Sequence, residues 1–93
     1  MKVTIEELEE YLYDHYRDGG IDQSLFMKLV EEIGEVAEVL NKKAGRKSSN
    51  DEDLQTQLGN ELADVIHYAV AIAALNGIDM NDIIISKDKV ASI

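Results

Sequence analysis

No proline interrupts the 93 residues of this chain, and its apolar residues recur at three- and four-residue spacing from Ile5 onward. Proline would break the backbone hydrogen-bond ladder of a helix, and this spacing stacks apolar side chains on one helical face. The pattern therefore predicts an all-α fold of four helices. The first starts at a capping box, Thr4-Ile5-Glu6-Glu7, and runs to about Arg17, ended by Gly19-Gly20. The second runs from Asp22 or Ser24 to about Lys43, with Leu25, Leu29, Ile33, Val36 and Leu40 as its apolar stripe. A polar loop, Ala44 to Asn50, leads to a second capping box at Ser49-Asn50-Asp51-Glu52. The third helix reaches about Asn76 and stops at Gly77; the last begins near Asp79 or Asn81 and continues through Ile83, Ile84, Ile85 and Val90.

The third helix carries a stripe of Leu54, Leu58, Leu62, Val65, Ala69 and Ile72, but beyond Asp64 it is apolar almost all round. A helix of that kind has to be covered on every side, which four helices of one chain achieve poorly, so an oligomer is expected. Residues 1–93 are expected to form one domain, of a size that often completes its core by association. The most apolar run, Val65 to Leu75, is shorter than the roughly 20 residues a bilayer needs. Met1-Lys2-Val3-Thr4 passes directly into acidic amphipathic sequence with no signal-peptide pattern. With no cysteine in the chain, these features suggest a cytoplasmic protein. A net charge of −10 disfavours nucleic acid and anionic membranes as partners. It leaves a nucleotide substrate open, because a bound divalent cation reverses the local sign.

Chemistry concentrates in two acidic groups, Glu31-Glu32-Ile33-Gly34-Glu35 and Glu61-Leu62-Ala63-Asp64. In each, carboxylates three residues apart stand one helical turn above each other. On a helical wheel Glu32 and Glu61 fall at the edge of the apolar arc, with Glu35 and Asp64 about 60° further toward the polar side. A solvated acidic face on two amphipathic helices is one reading. The other follows from the cost of half-burying carboxylates on two helices, which a shared cation would relieve. Four hard oxygen ligands, Glu32, Glu35, Glu61 and Asp64, suit Mg²⁺, with Mn²⁺ a second choice, and such an ion recruits phosphates.

Around these pairs several residues have two readings. Glu31 is either a helper that orients water or a solvated side chain, and Glu38 reads as facing solvent. Lys28, one turn before Glu32, suits an ion pair or a phosphate contact. Lys42, Lys43, Arg46 and Lys47 either complement the C-terminal dipole of the second helix or close over a triphosphate. His67 continues the Glu61, Asp64 spacing, faintly like a di-iron bundle motif, but reads as structural or surface; His15 reads as surface. No P-loop, dinucleotide-binding glycine motif or covalent nucleophile signature is present.

The segment from Lys28 to Asp64 resembles the MazG-like nucleotide pyrophosphohydrolases of the all-α NTP pyrophosphatase superfamily. Their pattern, EExxE followed after a variable gap by ExxD, is met by Glu31, Glu32 and Glu35, then Glu61 and Asp64. The flanks KLVEEIGEVAEVL and NELADVIHYAVAIAALNGIDM agree as well, and the similarity spans about residues 25 to 90. The resemblance implies a four-helix protomer that forms an oligomeric helical bundle, a homodimer or homotetramer. It implies Mg²⁺ on Glu32, Glu35, Glu61 and Asp64, and hydrolysis of a nucleoside triphosphate to monophosphate and pyrophosphate, a house-cleaning reaction of the nucleotide pool. Glu31 or Glu35 would take the proton from the attacking water, and Lys28 and Lys87 would contact phosphate. Where many relatives follow the lysine matching Lys87 with an asparagine and an arginine, this chain has Asp88 and Lys89. Two alternatives accompany this reading: a phosphoribosyl-ATP pyrophosphohydrolase of histidine biosynthesis, and a non-catalytic helical module that binds metal or oligomerises.

Overall fold

A computed structural model describes residues 1–19, 22–45 and 53–90, and among these the chain forms four helices and no strand. Helix α1 (Ile5–Tyr16) opens on the expected capping box. Thr4 Oγ1 accepts from the Glu7 amide at 3.1 Å, and Glu7 Oε1 accepts from the Thr4 amide at 3.0 Å. Two otherwise orphaned N–H groups are thereby satisfied by one reciprocal pair. Helix α2 (Asp22–Lys43) keeps the expected bounds.

Helix α3 (Leu54–Leu75) differs at its start. The capping box read at Ser49 to Glu52 lies outside the described residues, as do Gly20, Arg46 and Lys47. The observed cap is Asp53, whose carboxylate accepts from the Thr56 amide at 3.0 Å and from the Thr56 hydroxyl at 2.6 Å. The Thr56 hydroxyl and amide hold the Asp53 carboxyl below its usual range. At the far end Gly77, at φ 66°, supplies the left-handed residue of a Schellman turn. Ile78 N–H donates to the Ala73 carbonyl at 3.0 Å and Gly77 N–H to Ala74 at 3.2 Å. Helix α4 (Met80–Asp88) is capped by Asp79 and ends when Lys89 turns left-handed at φ 54°, so Val90 lies beyond it rather than within it.

Helix α3 is the central element: α2 packs along one side of it, α1 along another, and α4 packs mainly on α1. The core forms where the first three meet, from Leu12, Leu25, Val70 and Ala71, with Leu8, Tyr16, Tyr68, Ile72 and Leu75 around them. A position flanked by two helices accounts for much of the apolar character of α3. At 22 residues, with an 18-residue stretch of mean hydropathy 1.2, α3 is by length and composition long enough to cross a membrane, more than the run Val65 to Leu75 suggested. Its packing between two helices and its carboxylates Glu61 and Asp64 mark it as the middle of a bundle.

Helices α2 and α3 form an antiparallel hairpin tied at both ends. Asn76 Nδ2 donates to Asp22 Oδ2 at 3.1 Å, and Lys43 Nζ donates to Gln55 Oε1 at 2.9 Å. The stripe of α2 that turns to α3 contains Leu25, Leu29, Val36 and Val39, while Ile33 and Leu40, expected in it, are exposed. They belong to a second stripe one residue further on, with Phe26 and Val30. On α3, Leu62 and Ala69 are likewise exposed, in line with Ile66. One residue advances a right-handed helix by about 100°. Because α3 runs antiparallel, that step turns both helices toward the same side of the hairpin. The two stripes therefore make one uncovered apolar face, with Ile33 at 51% and Ile66 at 50% exposure.

Candidate functional site

Halfway along the hairpin the antiparallel register sets Glu32 and Glu35 of α2 at the level of Glu61 and Asp64 of α3. Glu32 and Glu61 are half-buried and Glu35 and Asp64 exposed, the order the helical wheel predicts. One carboxylate oxygen from each of Glu32, Glu61 and Asp64 lies within 4.8 Å of the others. Two of the oxygens, Glu32 Oε2 and Glu61 Oε2, are out of solvent and have no hydrogen-bond partner. A buried acceptor without a donor is costly, and one on each side of a helix seam calls for a positive ion or a proton between them.

Hydrogen bonding to Glu35, then burial and the Glu32 carboxyl, raise the Glu61 pKa to about 7. Burial, and the charges of Glu35 and Asp64, push Glu32 upward as well, against a lowering hydrogen bond from Glu61. All four expected ligands thus act on one another. Three converge as a geometric group, and Glu35 joins through Glu61. Three carboxylate oxygens within 4.8 Å of one another, with a fourth carboxylate beside them, are the donor set of a hard divalent cation. The residues present fit such an ion.

The remaining expected residues are spread more widely. Glu31 is exposed and turned to Lys28, whose Nζ donates to Glu31 Oε2 at 3.4 Å, so the lysine pairs with Glu31 and not with Glu32. Lys87 stands on α4, away from the α2/α3 seam in the packing order, exposed and 4.0 Å from Asp88. Beside the carboxylates a cleft of about 330 Å³ opens between α2 and α3, lined by Glu35, Glu38, Val39, Lys42, Gln57 and Glu61. Gln57 did not stand out in the sequence, although it sits one helical turn before Glu61 and on the same face.

Further round α3, about 60° from Asp64, His67 is held by structure. The Tyr16 hydroxyl lies 2.7 Å from His67 Nε2, and the two rings meet edge-on at 5.6 Å. Burial and the neighbouring Tyr68 raise the Tyr16 pKa. His15 stacks with Tyr11 and meets Tyr16 edge-on, so both histidines lie in an aromatic chain that pins α1 to α3. No di-iron arrangement involves His67, since the one metal-sized group among the described residues is Glu32, Glu61 and Asp64.

A family model described as the MazG nucleotide pyrophosphohydrolase domain matches residues 22–91. That span takes in α2, α3 and α4, with the whole acidic seam, and leaves α1 outside. No curated protein matches the chain.

Proposed function

The chain belongs to the MazG nucleotide pyrophosphohydrolase family, and from that premise we propose that it hydrolyses a nucleoside triphosphate between the α and β phosphates in nucleotide-pool house-cleaning. The observation that carries the reading is that Glu32 and Glu61 each keep a buried, partnerless oxygen while carboxylate oxygens of Glu32, Glu61 and Asp64 lie within 4.8 Å of one another. Glu32, Glu61, Asp64 and Glu35 would hold Mg²⁺, or Mn²⁺ in its place. When bound, the ion supplies Lewis-acid charge that neutralises phosphate oxygens and acidifies water.

The chain's own residues perform the rest. Half-buried Glu32 and Glu61 form the floor of the site, each with one oxygen out of solvent. Asp64 and Glu35 stand at its exposed rim, where a substrate arrives. Water attacks the phosphorus, the bridging P–O bond breaks, and pyrophosphate departs with the bonding electron pair. The water proton passes to a carboxylate, and Glu35 is better placed for it than Glu31: Glu35 borders the cleft, whereas Glu31 is engaged by Lys28. Lys28 and Lys87, both exposed, would serve as outlying phosphate contacts.

The active form in this reading is a homodimer or homotetramer. Phe26, Val30, Ile33 and Leu40 of α2 with Leu62 and Ile66 of α3 form a contiguous uncovered apolar face, and a second copy would bury it. A self-complementary contact between two such hairpins would make one four-helix core between the two copies. We read the protein as cytoplasmic, where nucleotide substrates occur.

Purified protein incubated with Mg²⁺ and a panel of canonical and modified nucleoside triphosphates tests the reaction. Stoichiometric pyrophosphate and monophosphate are expected. Orthophosphate as the sole released product would refute cleavage between the α and β phosphates.

A further inference from the structure

Helix α4 has little packing to set its direction. It contributes no fully buried residue, and Ile83 and Ile85 are exposed. At about 100° per residue, Ile83, Ile84 and Ile85 face three ways, so α4 has no single apolar side to lay against the bundle. The joint before it is no firmer. Gly77 turns left-handed at φ 66°, and a Cβ added there would meet nothing within 4 Å.

What reaches α4 from the bundle is a carboxylate. Glu9 Oε1 on α1 accepts from the Met80 amide at 2.8 Å, across 71 positions of sequence. Asp79 caps the same helix end from within, accepting from the Asp82 amide at 3.1 Å, so the two carboxylates serve different amides. Glu9 is half-buried, whereas Glu6, Glu7, Glu10 and Asp14 of α1 are exposed. A carboxylate on the first amide of a helix makes a charge-assisted bond and also meets the positive end of the helix dipole. Partial burial spares that attraction from screening.

Resting on the reading of Lys87 as a phosphate contact, we propose that Glu9 is a positioning residue: it fixes the direction of α4, and with it the place from which Lys87 meets the substrate. Lys87 lies seven residues beyond Met80, about 10 Å along the helix axis. A tilt of about 20° at the Met80 end therefore carries it roughly 4 Å, far more than a hydrogen bond tolerates. Nothing local corrects such a shift, because the Lys87 side chain is 80% exposed and its neighbour Asp88 stands 4.0 Å away. The control is exerted from α1, outside the matched segment 22–91, on a helix that lies inside it.

Steady-state pyrophosphate release and amide hydrogen exchange, both on the full chain, test the role. Glu9→Ala removes the acceptor. Met80→Pro removes the donor and keeps α4, since proline suits a first helical position that follows extended backbone, here Asp79 at φ −87° and ψ 94°. Each is expected to speed exchange of the α4 amides and to raise KM by about tenfold, the effect of losing one hydrogen bond to a charged group. kcat and the exchange of α2 and α3 should be unchanged. Glu9→Gln, whose amide oxygen still accepts, should restore most of the parent KM. In a Lys87→Met background, Glu9→Ala should raise KM no further. An unchanged KM in both Glu9→Ala and Met80→Pro, or the same rise with and without Lys87, overturns the positioning role and leaves cleavage between the α and β phosphates standing. A parent protein that releases no pyrophosphate from any triphosphate overturns the functional reading, and the positioning role with it.

Discussion

Glu32 on α2 and Glu61 on α3 each hold one carboxylate oxygen out of solvent without a hydrogen-bond partner, on opposite sides of a single seam. Two like charges cannot both remain ionised there without help. Hydrogen bonding to Glu35, burial and the Glu32 carboxyl raise the Glu61 pKa from 4.5 to about 7, so this carboxyl holds its proton toward neutral pH.

The metal-free protein should therefore soften as pH rises. A carboxyl with a raised pKa binds its proton more tightly folded than unfolded, so its contribution is complete below pH 4.5 and lost as pH passes 7. Glu32 is shifted in the same direction. Asp53 is shifted oppositely, but its effect falls at or below its ordinary 3.8, outside this window. Thermal denaturation in EDTA should give a Tm that falls between pH 5 and pH 8. Added Mg²⁺ should raise Tm little at pH 5 and more at pH 8, because the ion competes with the proton. A metal effect that shrinks with pH would contradict the shared seam.

Glu61→Gln replaces the titrating group with a neutral amide of the same shape. The pH dependence in EDTA should flatten, and the Mg²⁺-induced Tm gain should disappear, with helicity by circular dichroism unchanged.

Glu35→Gln and Asp64→Ala probe the exposed rim. Loss of a positioned proton acceptor costs about 10²- to 10⁴-fold in rate, so kcat for pyrophosphate release by Glu35→Gln should drop by at least the lower figure. Asp64→Ala should lose turnover through weaker metal binding, seen as a raised Mg²⁺ requirement. Parent-like turnover in both variants would remove these residues from the reaction.

Leu12 is fully buried although it lies outside the segment the family model matches. Leu12→Ala should cost about 2 to 5 kcal/mol in urea unfolding, since the cavity opens where α1, α2 and α3 meet. A loss below 1 kcal/mol would mean that α1 is peripheral to the core.

The uncovered face predicts a mass in sedimentation that is a multiple of the chain. Ile33→Asp with Ile66→Asp should shift the protein to monomer, because charge on that face cannot be buried between copies without a partner. A monomeric parent protein would exclude the homo-oligomer.

Local signals were the legible ones. Thr4 and Glu7 lie three residues apart, so their capping box could be read from the chain and is present. The acidic pairs were equally visible, because helical spacing alone puts two carboxylates on one face. The α2 stripe was misread at Ile33 and Leu40, since α2 carries two apolar stripes one residue apart and a wheel does not say which of them meets α3. The bond between Tyr16 and His67 joins residues 51 apart in sequence, which no local pattern encodes. Lys28 had acidic residues at both three and four positions, and side-chain geometry chose Glu31.

The bonds from Asp22 to Asn76 and from Lys43 to Gln55 clamp the hairpin at its two ends. Between those clamps the chain tolerates no change of length. One residue inserted between Leu54 and Glu61 would rotate Glu61 and Asp64 by about 100° relative to the start of α3, and the two halves of the seam would no longer meet. An insertion between Gly45 and Asp53 leaves the phase of both helices untouched. Divergent evolution is thus free to vary the spacer in number and composition, while in the two helices it can exchange side chains but cannot add or drop a position.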